Sequence, residues 1–310
     1  MLNVVSLYIL YAIASLILAY RLYRLTRFRE LAIYCAVLLL GIILFHYEQT
    51  SVALLLSGVI IFSAIISSYG TRLCYLFILV GLLYASLAYT IGAQFMLQSL
   101  FLGMFSGSNI AFIRKKTIRK DAELSRNAVQ VVAGVFLIAV FYFLSSNMAD
   151  AVLFWFVIIG SLLGNYALSR KSGAVSRFIY GLERDGTILG SGARWLAIGS
   201  LVAASFLTRN PIIVVFSAIF LADSFSTLVG MSFRTPRLPY NRNKSAGGTL
   251  AYFATVLAVS YFFIGPIAPL FAAFAAFLES QPFHIDDNFD VSLAMVALFA
   301  LLWYLGAAAL

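Results

Sequence analysis

The stretch Pro211–Gly230, PIIVVFSAIFLADSFSTLVG, is apolar apart from one carboxylate and a few hydroxyls. A helix rises about 1.5 Å per residue, so a run of roughly 20 residues crosses the ~30 Å hydrocarbon core of a bilayer. Apolar runs of about that length recur along the chain and read as about twelve membrane spans. They fall at residues 2–20, 30–46, 51–69, 73–91, 93–113, 128–146, 150–168, 190–208, 211–231, 248–265, 267–279 and 291–309. The eleventh is short and follows GPIAP, which makes it either half of a tight hairpin or a partly re-entrant segment.

Of the 310 residues, 63% are hydrophobic and 11% charged, a balance that excludes an ordinary soluble domain. The fold class is therefore all-α, a polytopic membrane protein. The N-terminal MLNVVSLYILYAIASLILAY lacks a basic leader and a small-residue cleavage site and reads as a first span, not a removable signal. Cys35 and Cys74 lie in apolar runs, so neither a disulfide framework nor a thiolate metal site is expected. No internal repeat, low-complexity tract or loop of domain size is present. The chain divides into residues 1–127, about five spans with a basic loop, and residues 128–310, about seven spans in which the chemistry is expected.

With these spans, the connections after odd-numbered helices carry the cations, including the run RKKTIRK at 114–120. Of the 21 Lys and Arg residues, Arg209 alone falls on the other side, which makes the loaded side cytoplasmic and places both termini outside. Insertion topology and anionic lipid at the basic loops account for the net charge of +9, with no role for nucleic acid.

Asp223 sits about two turns, roughly 10 Å, before Gly230. A carboxylate at mid-bilayer costs about 2.5–3.5 kcal/mol, less near the interface, so Asp223 calls for a partner. Asp223, Ser226, Thr227 and Gly230 fall at i, i+3, i+4 and i+7, forming one polar stripe toward the cytoplasmic mouth. A purely structural pairing with a neighbouring helix is the alternative.

The following loop, MSFRTPRLPYNRNKSAGGTL, holds Arg234, Arg237, Arg242 and Lys244. Each cation taken singly fits the positive-inside rule. Together they face the positive end of the next helix, which is unfavourable unless an anion lies between. Free backbone N–H groups at Gly247, Gly248 and Thr249 are expected to cradle a phosphate there. The pattern is not a Walker A loop, because the Lys-Ser pair precedes its glycines.

The segment ESQPFHIDDNFD, Glu279–Asp290, is the acidic loop on that same side. Asp286, Asp287 and Asn288 offer the hard oxygen ligands that Mg²⁺ takes alongside water and phosphate. Asp290 reads as a residue near the start of the last helix. Weaker signals lie in ELSRNAVQVVAG, with Glu123, Arg126 and Gln130, and in GLERDGTILGSGARWLAIG, with Glu183, Arg184, Gly190, Gly192 and Arg194; both read equally as charged helix entrances. His46 and His284 are isolated and read as structural.

Three elements in order, Asp223 with Gly230, the loop Pro239-x-Asn241-x-x-Lys244-Ser245-x-x-Gly248-Thr249, and Glu279 with Asp287-Asn288, resemble the CTP-dependent isoprenoid-alcohol kinases, the family of dolichol and phytol kinases. The resemblance covers residues 180–290; upstream, Asn127 and Gln130 stand where Lys and His are common in phytol-kinase-like members. It implies phosphorylation of a long isoprenoid alcohol with CTP as donor and Mg²⁺ as cofactor. With it, Asp223, Lys244, Glu279, Asp286 and Asp287 are the expected catalytic residues, Asp223 and Asp287 on the metal and Asp286 or Glu279 supporting it or accepting the alcohol proton. Arg237, Asn241, Arg242, Lys244, Ser245, Gly247, Gly248, Thr249 and Asn288 are then the nucleotide- and phosphate-binding set. The membrane implied is the plasma membrane in a prokaryote, or that of the ER or plastid in a eukaryote. Cytidylyl transfer to a lipid phosphate would use similar groups and release pyrophosphate. A transporter would instead place ionisable groups near mid-membrane in two related halves.

Overall fold

The computed structural model of the chain describes residues 50–89, 92–111, 123–170, 173–182, 190–233, 235–282 and 286–305. The first two expected spans, the whole 114–120 run, and Cys35, His46, Glu183, Arg184, Arg234 and His284 lie outside these residues. Among the described residues the regular structure is helical, with one isolated antiparallel pairing, Arg237 with Ser245. The chain forms two compact units, Met1–Arg114 with Ile158–Lys171, and Lys115–Val157 with Ser172–Leu310.

In the first unit, α1 (Thr50–Ser67), α2 (Leu73–Tyr89) and α3 (Ala93–Ala111) pack through small residues and buried hydroxyls. Gly103 and Gly107 are four residues apart on α3. A methyl group on Gly107 would stand 2.8 Å from Ile66 Cβ and 3.0 Å from Ser63 O, so the α1 and α3 backbones require glycine there. Ser63 Oγ donates to Gly103 O at 3.1 Å, and Tyr84 Oη donates to Leu54 O at 2.8 Å. Helices in lipid gain little from apolar contact with one another, so close backbones and hydrogen bonds of this kind specify the packing.

The second unit contains α4 (Glu123–Phe143), the first half of α5 (Ser146–Ser169), a short α6 (Ala174–Gly181), α7 (Ser191–Phe206), α8 (Arg209–Ser232), α9 (Ala246–Ile264), α10 (Ala268–Ser280) and α11 (Asp287–Tyr304). Five runs among the described residues are long and apolar enough to cross a membrane: Ser125–Phe143, Ser146–Ser169, Arg209–Ser232, Ala246–Ser280 and Asp287–Tyr304. The fourth is a hairpin. Gly265, at φ 58°, ends α9, a short 3₁₀ turn follows at Gly265–Ile267, and α10 returns beside α9. The eleventh expected span is thus the second leg of a tight hairpin, one of the two forms anticipated.

Helix α8 is the core of this unit, with every residue from Pro211 to Phe220 buried. Its proline lies in the first turn, where its missing N–H has no intrahelical partner to lose. Helix α4 runs antiparallel to it, with the Phe141 ring edge-on to Phe216 at 5.3 Å. Asn210 Nδ2 donates to Phe263 O at 3.2 Å, pinning the start of α8 to the end of α9. Helices α10 and α11 meet through stacked Phe271 and Phe299, and α11 meets α7 where Ser292 Oγ donates to Gly199 O at 2.5 Å. The ends of α8 and α10 and the starts of α4, α9 and α11 consequently share one end of the unit. Arg209 lies at the other.

Candidate functional site

The loop before α9 is folded on itself. Leu238 N–H donates to Lys244 O at 3.0 Å, Lys244 N–H to Asn241 O at 3.1 Å, and the exposed Arg237 guanidinium to Asn243 O at 3.2 Å. Asn241 is buried; its Nδ2 donates to Ser280 O at 3.0 Å and its Oδ1 accepts from Asn243 N–H at 3.2 Å. Tyr240 Oη donates to Ser280 Oγ at 3.0 Å. The loop is thereby clamped to the last turn of α10, whose terminal carbonyls have no helical donors of their own.

That clamp aims Lys244 inward. Its ammonium lies 2.6 Å from Glu279 Oε1 and 2.8 Å from Asp287 Oδ2. Burial alone would lower the Lys244 pKa, but the carboxylates of Glu279, Asp287 and Asp223 outweigh it and hold the lysine above its usual range, so it stays charged at physiological pH. Glu279 is 2% exposed; Ser226 Oγ also donates to its Oε1, at 3.4 Å, while Oε2 is buried without a hydrogen-bond partner. Thr249 Oγ1 is likewise buried and unpartnered.

Asp223 lies half-buried at the point where α8 returns from a π-helical turn, Ser217–Ala222, to α-helix. Its Oδ2 accepts from Gln130 Nε2 on α4 at 2.9 Å. Asn127, one turn before Gln130 on the same face, is 1% exposed, and neither of its side-chain polar atoms has a partner among the described residues. The stripe anticipated on α8 does face this end: Ser226 meets Glu279, and a methyl on Gly230 would stand 3.1 Å from Ser245 Oγ.

Three expectations change. The N–H groups at the start of α9 are not free, because Gly247 donates to Thr235 Oγ1 at 3.1 Å, Gly248 to Ser245 Oγ at 3.2 Å and Thr249 to Ser245 O at 3.0 Å. Ser245 is the helix cap, and Gly248 lets α9 approach α8, since a methyl there would stand 2.9 Å from Ser226 O. Glu279 is not in a loop but inside the last turns of α10. The last helix begins at Asp287, and its cap is Asp286, whose Oδ1 accepts from Asn288 N–H at 3.1 Å; Asp290 lies in its first turn, as expected.

Lys244, Glu279 and Asp287 are thus brought together, with Asp223 near enough for its charge to act on Lys244. Arg242 stays exposed on the clamped loop, and Asn288 is half-buried in the first turn of α11. Gln130 was not read as a site residue; an amide in an apolar span was a visible signal, but its partner was not. Among the described residues no three His, Cys, Asp or Glu side chains gather as a metal-binding group. Asp223 and Asp287 each have a different hydrogen-bond partner, Gln130 and Lys244. Comparison of the chain with protein-family models, curated proteins and solved structures gives no match.

Proposed function

We propose that this chain is a membrane kinase that transfers the γ-phosphoryl group of CTP to the hydroxyl of a long isoprenoid alcohol, giving a prenyl phosphate and CDP. The observation that carries this reading is the convergence of Glu279 and Asp287 on Lys244, from the two later elements of the resemblance, at 2.6 and 2.8 Å from its ammonium. Phosphoryl transfer demands positioning and charge neutralisation more than covalent chemistry, and such a cluster is equipped for both.

Three carboxyl groups, Asp223, Glu279 and Asp287, act on the one ammonium of Lys244, so acidic groups outnumber cations at the site. A nucleotide triphosphate approaches that site only with its own charge offset, which is the chemistry Mg²⁺ supplies when bound. Mg²⁺ usually takes one or two protein carboxylates and completes its shell with water and phosphate. Asp223 and Asp287 are the two carboxylates that would hold it, and the Oε2 of Glu279 is buried without a hydrogen-bond partner beside Lys244. Lys244 meets phosphate charge, with exposed Arg237 and Arg242 beside it on the loop. Glu279 is the carboxylate offered to the alcohol proton. Asn241, Ser245 and Asp286 hold the loop and the two helix starts in place, and Asn288 lies beside Asp287.

The wider reading has about twelve spans by length, both termini outside and the site at the cytoplasmic face, where an alcohol anchored by its prenyl chain meets a soluble nucleotide. Purified protein in detergent, given CTP, Mg²⁺ and a panel of prenols, tests it. Formation of prenyl monophosphate with CDP is expected; a CDP-lipid with pyrophosphate would replace the kinase by a cytidylyltransferase.

A further inference from the structure

The helix that carries Asp223 is irregular at that point. In an α-helix the Asp223 N–H would donate to the carbonyl of Ile219, four residues back. Here it reaches five residues back, to Ala218 O, and passes over Ile219. The Ile219 carbonyl is taken by a side chain instead: Gln130 Nε2, from α4, donates to Ile219 O at 2.8 Å and to Asp223 Oδ2 at 2.9 Å. A primary amide nitrogen carries two N–H groups, so each acceptor has one. The orientation of the amide follows, since Oε1 turned toward a carbonyl and a carboxylate would find no proton between them. Gln130 is itself buried, and at Gly134, one turn along, α4 lies directly against Phe220, leaving little slack around the contact.

A neutral amide does something here that a cation would not. An ammonium or imidazolium at this place would hold the carboxylate and cancel its charge, whereas glutamine holds it and leaves the charge for another ligand. Oδ1 of Asp223 has no hydrogen bond among the described residues.

We propose that Gln130 is a positioning residue, which locks Asp223 to the carbonyl released by the π-turn and leaves Oδ1 as the oxygen that Asp223 offers to a ligand. Its functional consequence rests on the Mg²⁺-nucleotide reading of the site; the positioning itself does not. Gln130→Met keeps the length of the side chain and removes both donors. Combined with Asp223→Ala, which removes the acceptor, it makes a double-mutant cycle, read by melting temperature of the ligand-free protein in detergent and by equilibrium dialysis of labelled CTP with Mg²⁺ or with EDTA. In Mg²⁺, Gln130→Met should weaken CTP binding about 10- to 100-fold, the range for losing a group that orients a metal ligand. In EDTA, and on top of Asp223→Ala, it should change binding by less than about twofold, the scatter of independent sites. The two melting shifts should be non-additive. Additive effects in both readouts overturn the proposal. Should wild type show no Mg²⁺-dependent CTP binding, the kinase reading fails, and the melting cycle alone decides, additive shifts rejecting the positioning role. If Gln130→Met does not fold, Gln130→Asn, which keeps the amide but falls one methylene short, is read in the same cycle.

Discussion

Lys244 Nζ stands 2.6 Å from Glu279 Oε1, so one ion pair joins the loop before α9 to the last turn of α10. Removing only the cation leaves a buried carboxylate uncompensated, a loss of about 3–5 kcal/mol in fully buried pairs and less here, where Lys244 retains 22% exposure. Lys244→Ala should therefore melt lower than wild type. The double variant Lys244→Ala, Glu279→Gln should recover most of that stability without recovering turnover, which falls about 100-fold or more once a cation facing developing charge is lost. Melting in detergent and steady-state CTP kinetics separate the two effects. A double variant as unstable as the single one would mean that the pair is not what holds the loop.

Asp223→Asn keeps the shape of the side chain and still accepts from Gln130 through its amide oxygen. It should express and melt as wild type, or slightly higher because a partly buried charge is gone. Phosphoryl transfer should nearly vanish. A folded variant retaining more than a tenth of wild-type turnover, a barrier change under about 1.4 kcal/mol, would remove Asp223 from the chemistry.

The all-helical class and the residues that meet at the principal cluster were legible in the sequence, because both rest on strong physical signals. Apolar runs bounded by charge marked α8 from 211 to 231 where the helix covers Arg209–Ser232, and a carboxylate inside such a run marked Asp223. What was not legible depends on partners distant in sequence. Gln130 meets Asp223 across 93 residues, and the π-turn that frees the Ile219 carbonyl has no side-chain signature. Gly247 and Gly248 carry the same letters in an anion cradle as in a capped helix start pressed against its neighbour. Only Thr235 and Ser245, which take their N–H groups, decide between the two. The acid-rich segment looked like one loop, yet Glu279 belongs to α10 and Asp286 to the cap of α11, since a capping side chain and a ligand are chemically alike.

Asp286 supplies a cap that asparagine supplies equally well and alanine does not. Asp286→Asn should melt within error of wild type, and Asp286→Ala lower by about 1 kcal/mol of stability. Equal melting of Asp286→Ala and wild type would show that the cap does not support α11.

Arg237 and Pro282 are exposed and lie near the two ends of the clamped loop and hairpin. Single cysteines at these positions, with Cys35 and Cys74 replaced, should react with a membrane-impermeant thiol reagent only after cells are opened. Labelling of either position in intact cells would contradict a shared cytoplasmic site.

The most direct measurement of the central claim follows the phosphorus. Purified protein with Mg²⁺ and a C20 prenol receives CTP labelled at the γ-phosphorus in one reaction and at the α-phosphorus in another, with Lys244→Ala in parallel. The account predicts that γ-label enters the prenyl lipid, that α-label stays in CDP, and that the variant transfers little of either. Appearance of α-label in the lipid, or equal transfer by wild type and Lys244→Ala, would contradict it.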